Sequence, residues 1–396
     1  MVTTYLQTLN KKTCYGCRSC ELSCPKGAIS IQPDDEGFLY PVLDKEKCID
    51  CSLCRNVCPY DKPCQLAAPK KGYALKYNNE EKLINSSSGA AFPAFADYIL
   101  SQGGYIVGCI FNENIEAVHV VTSEEKIVSK MSGSKYVQSD VNESYKVTAE
   151  LLRKGEIVLY SGTPCQIAGL NKYLKRPYDN LYTIDLICHG VPSPALLKNY
   201  INSTYNLNIK ELRFRDKARN GWCSQGSVVT ISQSGRPVIK RISPYTDSYY
   251  YYYLQNSISR YCCYDCAFSK KDRVSDITIG DYWNVRESEP GFNADKGVSA
   301  VLVNTTKGEK LFDMIASATS YKQTDISEII KGNGNLQKPC EMPDQRKYIY
   351  EKIRRDGYAK VASQECHYQY VIPFLKRLIP SSLKRVVKSF ISQIKK

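Results

Sequence analysis

Apolar and polar positions switch between a helical and a strand period along most of the chain. Apolar residues at every third or fourth position predict helices at 91–100 and 144–153, and another after Pro194. Short apolar runs predict strands at 105–110, 119–121, 156–160 and 182–187. Further strand candidates lie at 212–214, 228–232, 276–279 and 299–303. Helices and strands therefore alternate from about 86 to 200, which predicts α/β layering, and strands dominate beyond 210.

Two similar cysteine runs precede this pattern and indicate the chemistry. They read Cys14-x2-Cys17-x2-Cys20-x3-Cys24-Pro25 and Cys48-x2-Cys51-x2-Cys54-x3-Cys58-Pro59. This spacing is typical of a protein that holds two 4Fe–4S clusters, in which the fourth cysteine of each run ligates the other run's cluster. We therefore expect one cluster on Cys14, Cys17, Cys20 and Cys58, and another on Cys48, Cys51, Cys54 and Cys24. Zinc sites usually stop at four ligands, and disulfides require an oxidising compartment.

Four more cysteines stand at the ends of apolar runs or in a CxxC pair. Cys165 lies in a Thr-Pro-Cys-Gln stretch, Cys188 follows an apolar run, and Cys263 and Cys266 form the pair. Four converging thiolates would suit zinc almost as well as a cluster. From spacing alone a cluster, a zinc ion and buried free thiols all stay open. The other cysteines, 64, 109, 223, 262, 340 and 366, lack ligand spacing and are expected to be buried thiols.

A family resemblance favours the cluster among these alternatives. Six stretches together resemble the beta subunit of coenzyme F-420-reducing hydrogenase and dehydrogenase: residues 86–91, 162–166, 188–194, 213–222, 263–268 and 275–283. The resemblance implies that Cys165, Cys188, Cys263 and Cys266 hold a third 4Fe–4S cluster. It also implies bound FAD, beside which a deazaflavin or another reducible substrate docks. The ferredoxin module in front and the 188–194 and 213–217 segments look like the bacterial branch, so coenzyme F-420 itself is in doubt as the substrate.

Two segments are candidate FAD contacts. The first, Ser86-Ser87-Ser88-Gly89, precedes a predicted helix, whose free N–H groups would face a pyrophosphate. The second offers small residues, a cation and an aromatic ring in Ser132, Gly133, Ser134, Lys135 and Tyr136. Without the resemblance, a capped helix and an ordinary turn would look the same. His189 is a candidate proton donor to substrate, although it would equally tune the adjacent cluster.

These patterns predict an α+β organisation: a small ferredoxin-like two-cluster module followed by an α/β flavin and iron–sulfur catalytic domain. The expected boundaries are the module at 1–64, a polar linker at 65–85, the catalytic domain at 86–325, an irregular extension at 326–369 and a basic amphipathic tail at 370–396. Half of the net charge of +14 lies on this tail, with seven Lys or Arg and no acid. No nucleic-acid-binding motif accompanies the charge, and the tail predicts peripheral contact with a membrane surface.

The chain is thus expected to be a cytoplasmic oxidoreductase, with the tail at the inner membrane surface. Electrons would pass between a soluble ferredoxin-type carrier and a small two-electron substrate, through three 4Fe–4S clusters and FAD. Bacterial-branch relatives suggest a link to surface polysaccharide synthesis. The alternatives are a non-catalytic relay subunit of a larger hydrogenase or dehydrogenase complex, and a zinc-bearing scaffold.

Overall fold

The computed structural model describes residues 4–206 and 208–366. Within them lie one hairpin, one three-stranded sheet and one eight-stranded sheet. The tail predicted for 370–396, with its membrane contact, lies outside the described residues.

The first module repeats one backbone design around both cysteine runs. A hairpin of β1 (Ile29–Pro33) and β2 (Leu39–Leu43) joins three short helices, α1 (Tyr5–Thr8), α2 (Ser19–Leu22) and α3 (Leu53–Asn56). Gly16 and Asp50 occupy equivalent places in the two runs, and both have positive φ angles, 73° and 51°. The residues before α2 and α3, Arg18 and Ser52, are also left-handed, with φ of 62° and 58°. The internal repeat of the sequence is therefore a repeat of backbone conformation.

A large mixed sheet forms the centre of the second domain. Its strands are β3 (Lys71–Tyr77), β4 (Tyr105–Phe111), β5 (Ala117–Thr122), β6 (Val158–Gly162), β7 (Leu181–Leu186), β11 (Ile277–Asp281), β12 (Ser299–Val303) and β13 (Thr319–Thr324). Their order is β13-β3-β12-β11-β7-β6-β4-β5, with parallel pairing from β11 through β7 and β6 to β4 and antiparallel pairing elsewhere.

Helices cover both faces of this sheet, because successive strand residues point to opposite sides. They are α4 (Glu80–Asn85), α5 (Ala91–Ser101), α6 (Glu125–Met131), α7 (Ser144–Arg153), α8 (Pro164–Leu174), α9 (Pro194–Tyr205), α12 (Val285–Ser288), α13 (Thr306–Ile315) and α14 (Ile326–Gly332). Ile106 packs in the cluster that contains Phe95 of α5, whereas its neighbour Val107 packs in the one that contains Leu170 of α8.

The third sheet and the final helices share an aromatic core. Strands β8 (Ile209–Arg213), β9 (Gly226–Ile231) and β10 (Pro237–Ile242) form an antiparallel sheet. The remaining helices are α10 (Lys217–Asn220), α11 (Ser248–Leu254), α15 (Ile349–Asp356) and α16 (Tyr358–Glu365). Four of the five consecutive tyrosines of α11, residues 249, 250, 252 and 253, are buried in this core. Tyrosine rings bury a large apolar area, so this run anchors the C-terminal helices.

Two predicted boundaries differ from the structure. The stretch expected to be a linker, 65–85, contains α4 and β3, and β3 pairs with both β12 and β13. Lys71 and Lys76 near the ends of β3 give it a polar composition, while Ala74 and Leu75 at its centre are fully buried. The extension expected to be irregular contains α14, α15 and α16, because one face of each packs on the preceding domain.

A single glycine of α8 allows the two domains to touch. A methyl group on Gly169 would lie 2.7 Å from Cβ of Cys17 and 2.8 Å from Oγ of Ser19. We expect Gly169→Ala to destabilise the protein by about 1–3 kcal/mol through overpacking, although alanine is usually the better helix former. Thermal unfolding and iron retention under anaerobic conditions measure this effect.

The matched control is Gly334→Ala, because a methyl group at Gly334 meets nothing within 4 Å. This variant should change stability by less than about 0.5 kcal/mol. Equal unfolding temperatures for the two variants would contradict the domain contact described here.

Candidate metal centres and redox cavity

The thiols of the two cysteine runs gather into two groups. Burial raises the pKa of the Cys20 thiol, and its electrostatic neighbours are Cys17, Cys14, Cys58 and Cys54. All five of these thiols line a cavity of about 40 Å³ beside the α2 helix. The pKa of Cys54 is raised by burial too, and its neighbours are Cys48, Cys51 and Cys24. Cys58 of the second run is thus a neighbour of Cys20, and Cys24 of the first run is a neighbour of Cys54.

The two groups differ in their access to solvent. Cys51 and the flanking Asp50 and Ser52 are exposed, whereas Cys17 is buried. The Cys48 group therefore lies at the surface, and the Cys14 group lies between it and the second domain. Ser19 supports that placement, because its hydroxyl donates to the carbonyl of Gly169 in α8 at 2.8 Å.

The other four predicted ligands meet around a second cavity, of about 50 Å³. Cys165 lies in the first turn of α8, which Thr163 and Gln166 close with a capping box. Cys188 follows β7, Cys263 lies in the 3-10 helix Tyr261–Asp265, and Cys266 comes directly after that helix. Burial raises the pKa of Cys165, and the other three thiols raise it further. Three separated parts of the sequence thus bring four thiols to one cavity.

The four thiols line the cavity without meeting at a single point. In the part of the chain that the structure describes, no three His, Cys, Asp or Glu side chains converge closely enough to share one metal ion.

Two further cysteines lie next to this group. Cys262 lines the same cavity, and its hydrogen bond with Cys263 raises its own pKa and lowers that of Cys263. The Cys340 thiol lies 4.0 Å from the carbonyl oxygen of Cys263 but does not line the cavity. No spacing in the sequence marks Cys340, because it comes from the distant C-terminal extension.

A larger cavity of about 400 Å³ adjoins the thiol cavity. The two share one wall, and its members come mainly from the start of α8 and the segment after β7: Ser139, Thr163, Gln166, Cys188, His189, Gly190, Val191 and Asn335. Cys188 borders both cavities, so a group bound in the larger cavity would lie next to one of the four thiol residues.

Both segments predicted to contact FAD line this larger cavity. Ser86, Ser87 and Ser88 lie on one side, and residues 132–136 lie beside them. The Ser87 hydroxyl accepts from the backbone N–H of Ser134 at 2.9 Å and so ties the two segments together. The cavity volume falls within the usual range for cofactor sites.

Several details differ from the expected contacts. The N-cap of α5 is Ala90, without a side-chain hydrogen bond, and Gly89 does not line the cavity. The ammonium group of Lys135 donates to the four carbonyls of residues 130–133 at 2.8–3.2 Å, so it caps the C-terminus of α6. Burial lowers the pKa of Lys135 to about 8. The ammonium group of Lys135 therefore stabilises the C-terminus of α6 rather than pointing only to the cavity.

The cavity lining carries groups from the stretches 213–222 and 275–283 to which the sequence alone gives no individual role. Trp283 is 46% exposed and stacks on Trp222 with ring centroids 5.6 Å apart and an angle of 1°. These are the two tryptophans of the chain. Arg215 lies over Trp283 and forms an ion pair with Asp281 at 3.0 Å. A flat aromatic platform of this kind suits a planar ligand.

Two imidazoles line the cavity as well. His189 lies in the shared wall, and burial lowers its pKa. His119, in β5, is 3% exposed, and burial lowers its pKa to about 4. Neither ring nitrogen of His119 has a partner in hydrogen-bonding geometry among the described residues, although the backbone groups of Ser161 and Asp140 influence its pKa. The side chain is thus neutral at neutral pH.

Two family models match parts of this chain. Residues 13–62 match the 4Fe-4S dicluster domain, and residues 155–329 match the C terminus of the beta subunit of coenzyme F420 hydrogenase/dehydrogenase. These matches define an iron–sulfur oxidoreductase of the electron-transfer class. Residues 155–329 are thus similar to the C terminus of coenzyme F420 hydrogenase/dehydrogenase beta subunits, and a 4Fe–4S dicluster domain lies in front of them. The family resemblance of the sequence is confirmed.

Two curated relatives are distant. One, a subunit of the F420H2 dehydrogenase of Methanosarcina mazei, is 21% identical over 78% of this chain and 84% of its own length. Coenzyme F420-dependent sulfite reductase of Methanocaldococcus jannaschii is 28% identical over 47% of this chain, which spans 29% of that relative's length. A solved structure of the F420-reducing NiFe hydrogenase complex from Methanosarcina barkeri aligns at a TM-score of 0.46 and 15% identity, over 73% of this chain and 94% of that one.

Among the described residues, no helix is both long enough and apolar enough to cross a bilayer.

The adjacent pair Cys262 and Cys263 offers a test of the third thiol group. We expect Cys263→Ser to lose about one third of the bound iron if this group holds a third 4Fe–4S cluster, because the variant would remove one of its ligands. Cys262→Ser should keep all of it. Iron and acid-labile sulfide per chain, measured after anaerobic reconstitution, decide the outcome. Full iron in Cys263→Ser would exclude Cys263 as a required ligand.

Proposed function

We propose that the chain is an iron–sulfur flavoprotein oxidoreductase that passes electrons between a ferredoxin-type carrier and a two-electron substrate. The observation that carries the proposal is the wall shared by the two cavities, in which Cys188 and His189 face both. A flavin in the larger cavity would lie next to Cys188 of the third thiol group. FAD supplies the exchange between one-electron and two-electron steps that clusters alone do not perform.

The residues of the larger cavity fit a flavin nucleotide. The serine-rich side, with Ser87 and Ser134 bonded to each other, offers hydroxyl and backbone groups of the kind that bind phosphates. His119 and His189 line the same cavity, and each carries a buried ring nitrogen without a partner in hydrogen-bonding geometry among the described residues. A buried polar atom without a partner costs free energy, so a ligand that satisfies it gains affinity.

The three thiol groups form a sequence from the surface to this cavity. Exposed Cys51 gives an external carrier access to the outer group. Each group contains one cysteine of the other run, Cys24 in the outer group and Cys58 in the inner group. Helix α8 then joins the inner group to the third, because Gly169 packs on Cys17 and Cys165 lies one turn earlier. We propose a third 4Fe–4S cluster on Cys165, Cys188, Cys263 and Cys266.

The mouth of the cavity is the proposed substrate entrance. Two lining residues, Trp283 and Leu186, are 46% and 38% exposed. His189, in the wall, stays the candidate proton donor predicted from the sequence. Burial lowers its pKa and so disfavours the protonated form that would donate. The names of the two relatives make a deazaflavin a candidate substrate. The predicted carrier, the cytoplasmic location and the link to surface polysaccharide synthesis stay predictions from the sequence.

A relay subunit without its own substrate is the second candidate function. It is favoured by the relative from Methanosarcina mazei, which is named as a subunit of a dehydrogenase and covers most of this chain. A catalytic chain should reduce a two-electron acceptor alone when given a reduced carrier, whereas a relay subunit should need its partner.

Two serines near the end of α6 allow a matched test of FAD binding. Ser132 lines the cavity, whereas Ser129 is exposed and lies outside its lining. We expect Ser132→Asp to weaken FAD binding at least tenfold, because its carboxylate would repel the pyrophosphate. Ser129→Asp adds the same charge to the same helix and should leave the affinity unchanged. The measurement is flavin titration of the anaerobic protein with three intact clusters.

Equal weakening by both variants would indicate a general effect of charge. The absence of measurable FAD binding by the unmodified protein would contradict the flavoprotein proposal and favour the relay subunit.

A further inference from the structure

Three arginines are almost completely buried near the thiol groups, and one differs from the others. Arg260 and Arg346 are 0% exposed and Arg273 is 2% exposed. Arg346 makes a two-pronged ion pair with Glu36 at 2.9 and 2.6 Å. Arg273 is paired with Asp185 at 2.9 Å. For Arg260, no ion pair with a carboxylate occurs anywhere in residues 4–206 or 208–366.

The Arg260 guanidinium contacts no carboxylate within the described structure, and the ionisable thiol of Cys14 is its main electrostatic neighbour. Its Nε donates to the carbonyl of Cys14 at 2.9 Å. One Nη donates to the carbonyl of Leu39 at 3.0 Å and to the side-chain oxygen of Gln138 at 3.1 Å, and the other has no partner among the described residues. The Tyr40 ring lies against one face, 3.7 Å from the central carbon.

A buried cation in such surroundings is costly. Neutral acceptors and an aromatic face replace only part of the hydration that a guanidinium loses, and buried charges in proteins are normally paired. Arg346 and Arg273 follow this rule through Glu36 and Asp185. The surroundings of Arg260 therefore require a negative charge that no carboxylate of the described structure supplies.

The position of Arg260 identifies the source of that charge. Gly16, between Cys14 and Cys17, packs so closely that a methyl group there would lie 3.3 Å from the guanidinium carbon. The main-chain carbonyl of Arg260 accepts from the backbone N–H of Cys263 at 2.9 Å. One residue thus bonds to the inner group through its side chain and to the third group through its backbone. A cluster held by four thiolates carries net negative charge, which is one of the factors that set its potential.

We propose that Arg260 is the counter-charge of the 4Fe–4S cluster on the Cys14 group, and that it raises the reduction potential of this cluster. Reduction adds one electron to the cluster, and a fixed nearby cation favours the more negative state. Arg260 is a positioning residue for the electron path, without contact with substrate. The inference rests on the dicluster domain and needs neither FAD nor a third cluster, so it stands if the flavoprotein proposal fails.

The test is a redox titration of the full-length protein, followed by electron paramagnetic resonance. In Arg260→Gln, we expect the equilibrium constant for reduction of one cluster to fall at least tenfold, which is about 59 mV for a one-electron couple. Arg260→Lys keeps the charge but not the planar arrangement of donors. Its equilibrium constants for cluster reduction should stay within about threefold of those of the unmodified protein.

Arg346→Gln is the matched control, because it removes an equally buried arginine whose charge Glu36 already balances. It should lower thermal stability and leave the potential of the Cys14 cluster unchanged. A change of less than threefold in this equilibrium constant in fully loaded Arg260→Gln would overturn the proposal. An equal change in Arg346→Gln would overturn it as well.

If Arg260→Gln does not take up its clusters, the loading and the potentials of Arg260→Lys provide the test. Full loading with unchanged potentials supports the role of charge. A tenfold shift or failed loading in Arg260→Lys would show that the hydrogen-bonding fork matters instead.

Discussion

The contact between α8 and the first module constrains the rest of the arrangement. Gly169 lets the helix approach Cys17 at van der Waals distance, and its carbonyl accepts from Ser19 at 2.8 Å. The first turn of the same helix carries Cys165, and its cap residue Thr163 lies in the wall of the larger cavity. One rigid element of eleven residues thus fixes the inner thiol group, the third thiol group and the cavity relative to one another. A larger residue at position 169 would separate them.

The two domains are joined by buried polar contacts as well as by packing. Arg18, just before α2, forms ion pairs with Glu21 in its own module and with Asp140 in the second domain. Arg346, from the C-terminal extension, bonds to Glu36 in the first hairpin. Because truncating one partner of a buried ion pair leaves a charge without compensation, these contacts favour one docking geometry over others. The extension therefore helps to hold the module in place, which its sequence alone does not suggest.

Much of this organisation is predictable from local sequence. Helices α5 and α7 begin where the apolar period predicts them, at Ala91 and Ser144, and β12 has the predicted bounds. The spacing of the cysteine runs suffices to assign the dicluster domain. The sequence does not predict strand β3, because Lys71 and Gly72 make its start look like a polar linker. Its pairing with β12 and β13 involves residues far away in the chain. The position of Cys340, the stacking of Trp283 on Trp222 and the role of Arg260 are also not predicted, since each depends on contacts between residues far apart in the chain.

The central claim is that the chain holds a continuous set of redox groups from the exposed Cys51 to the larger cavity. Anaerobic reductive titration of the reconstituted protein tests it most directly, by counting the electrons that one chain accepts. Three clusters accept one electron each and a flavin accepts two, so the account predicts about five electrons per chain. About three would show that no flavin is bound. About four would show that the third thiol group holds no cluster, and either number would contradict the account.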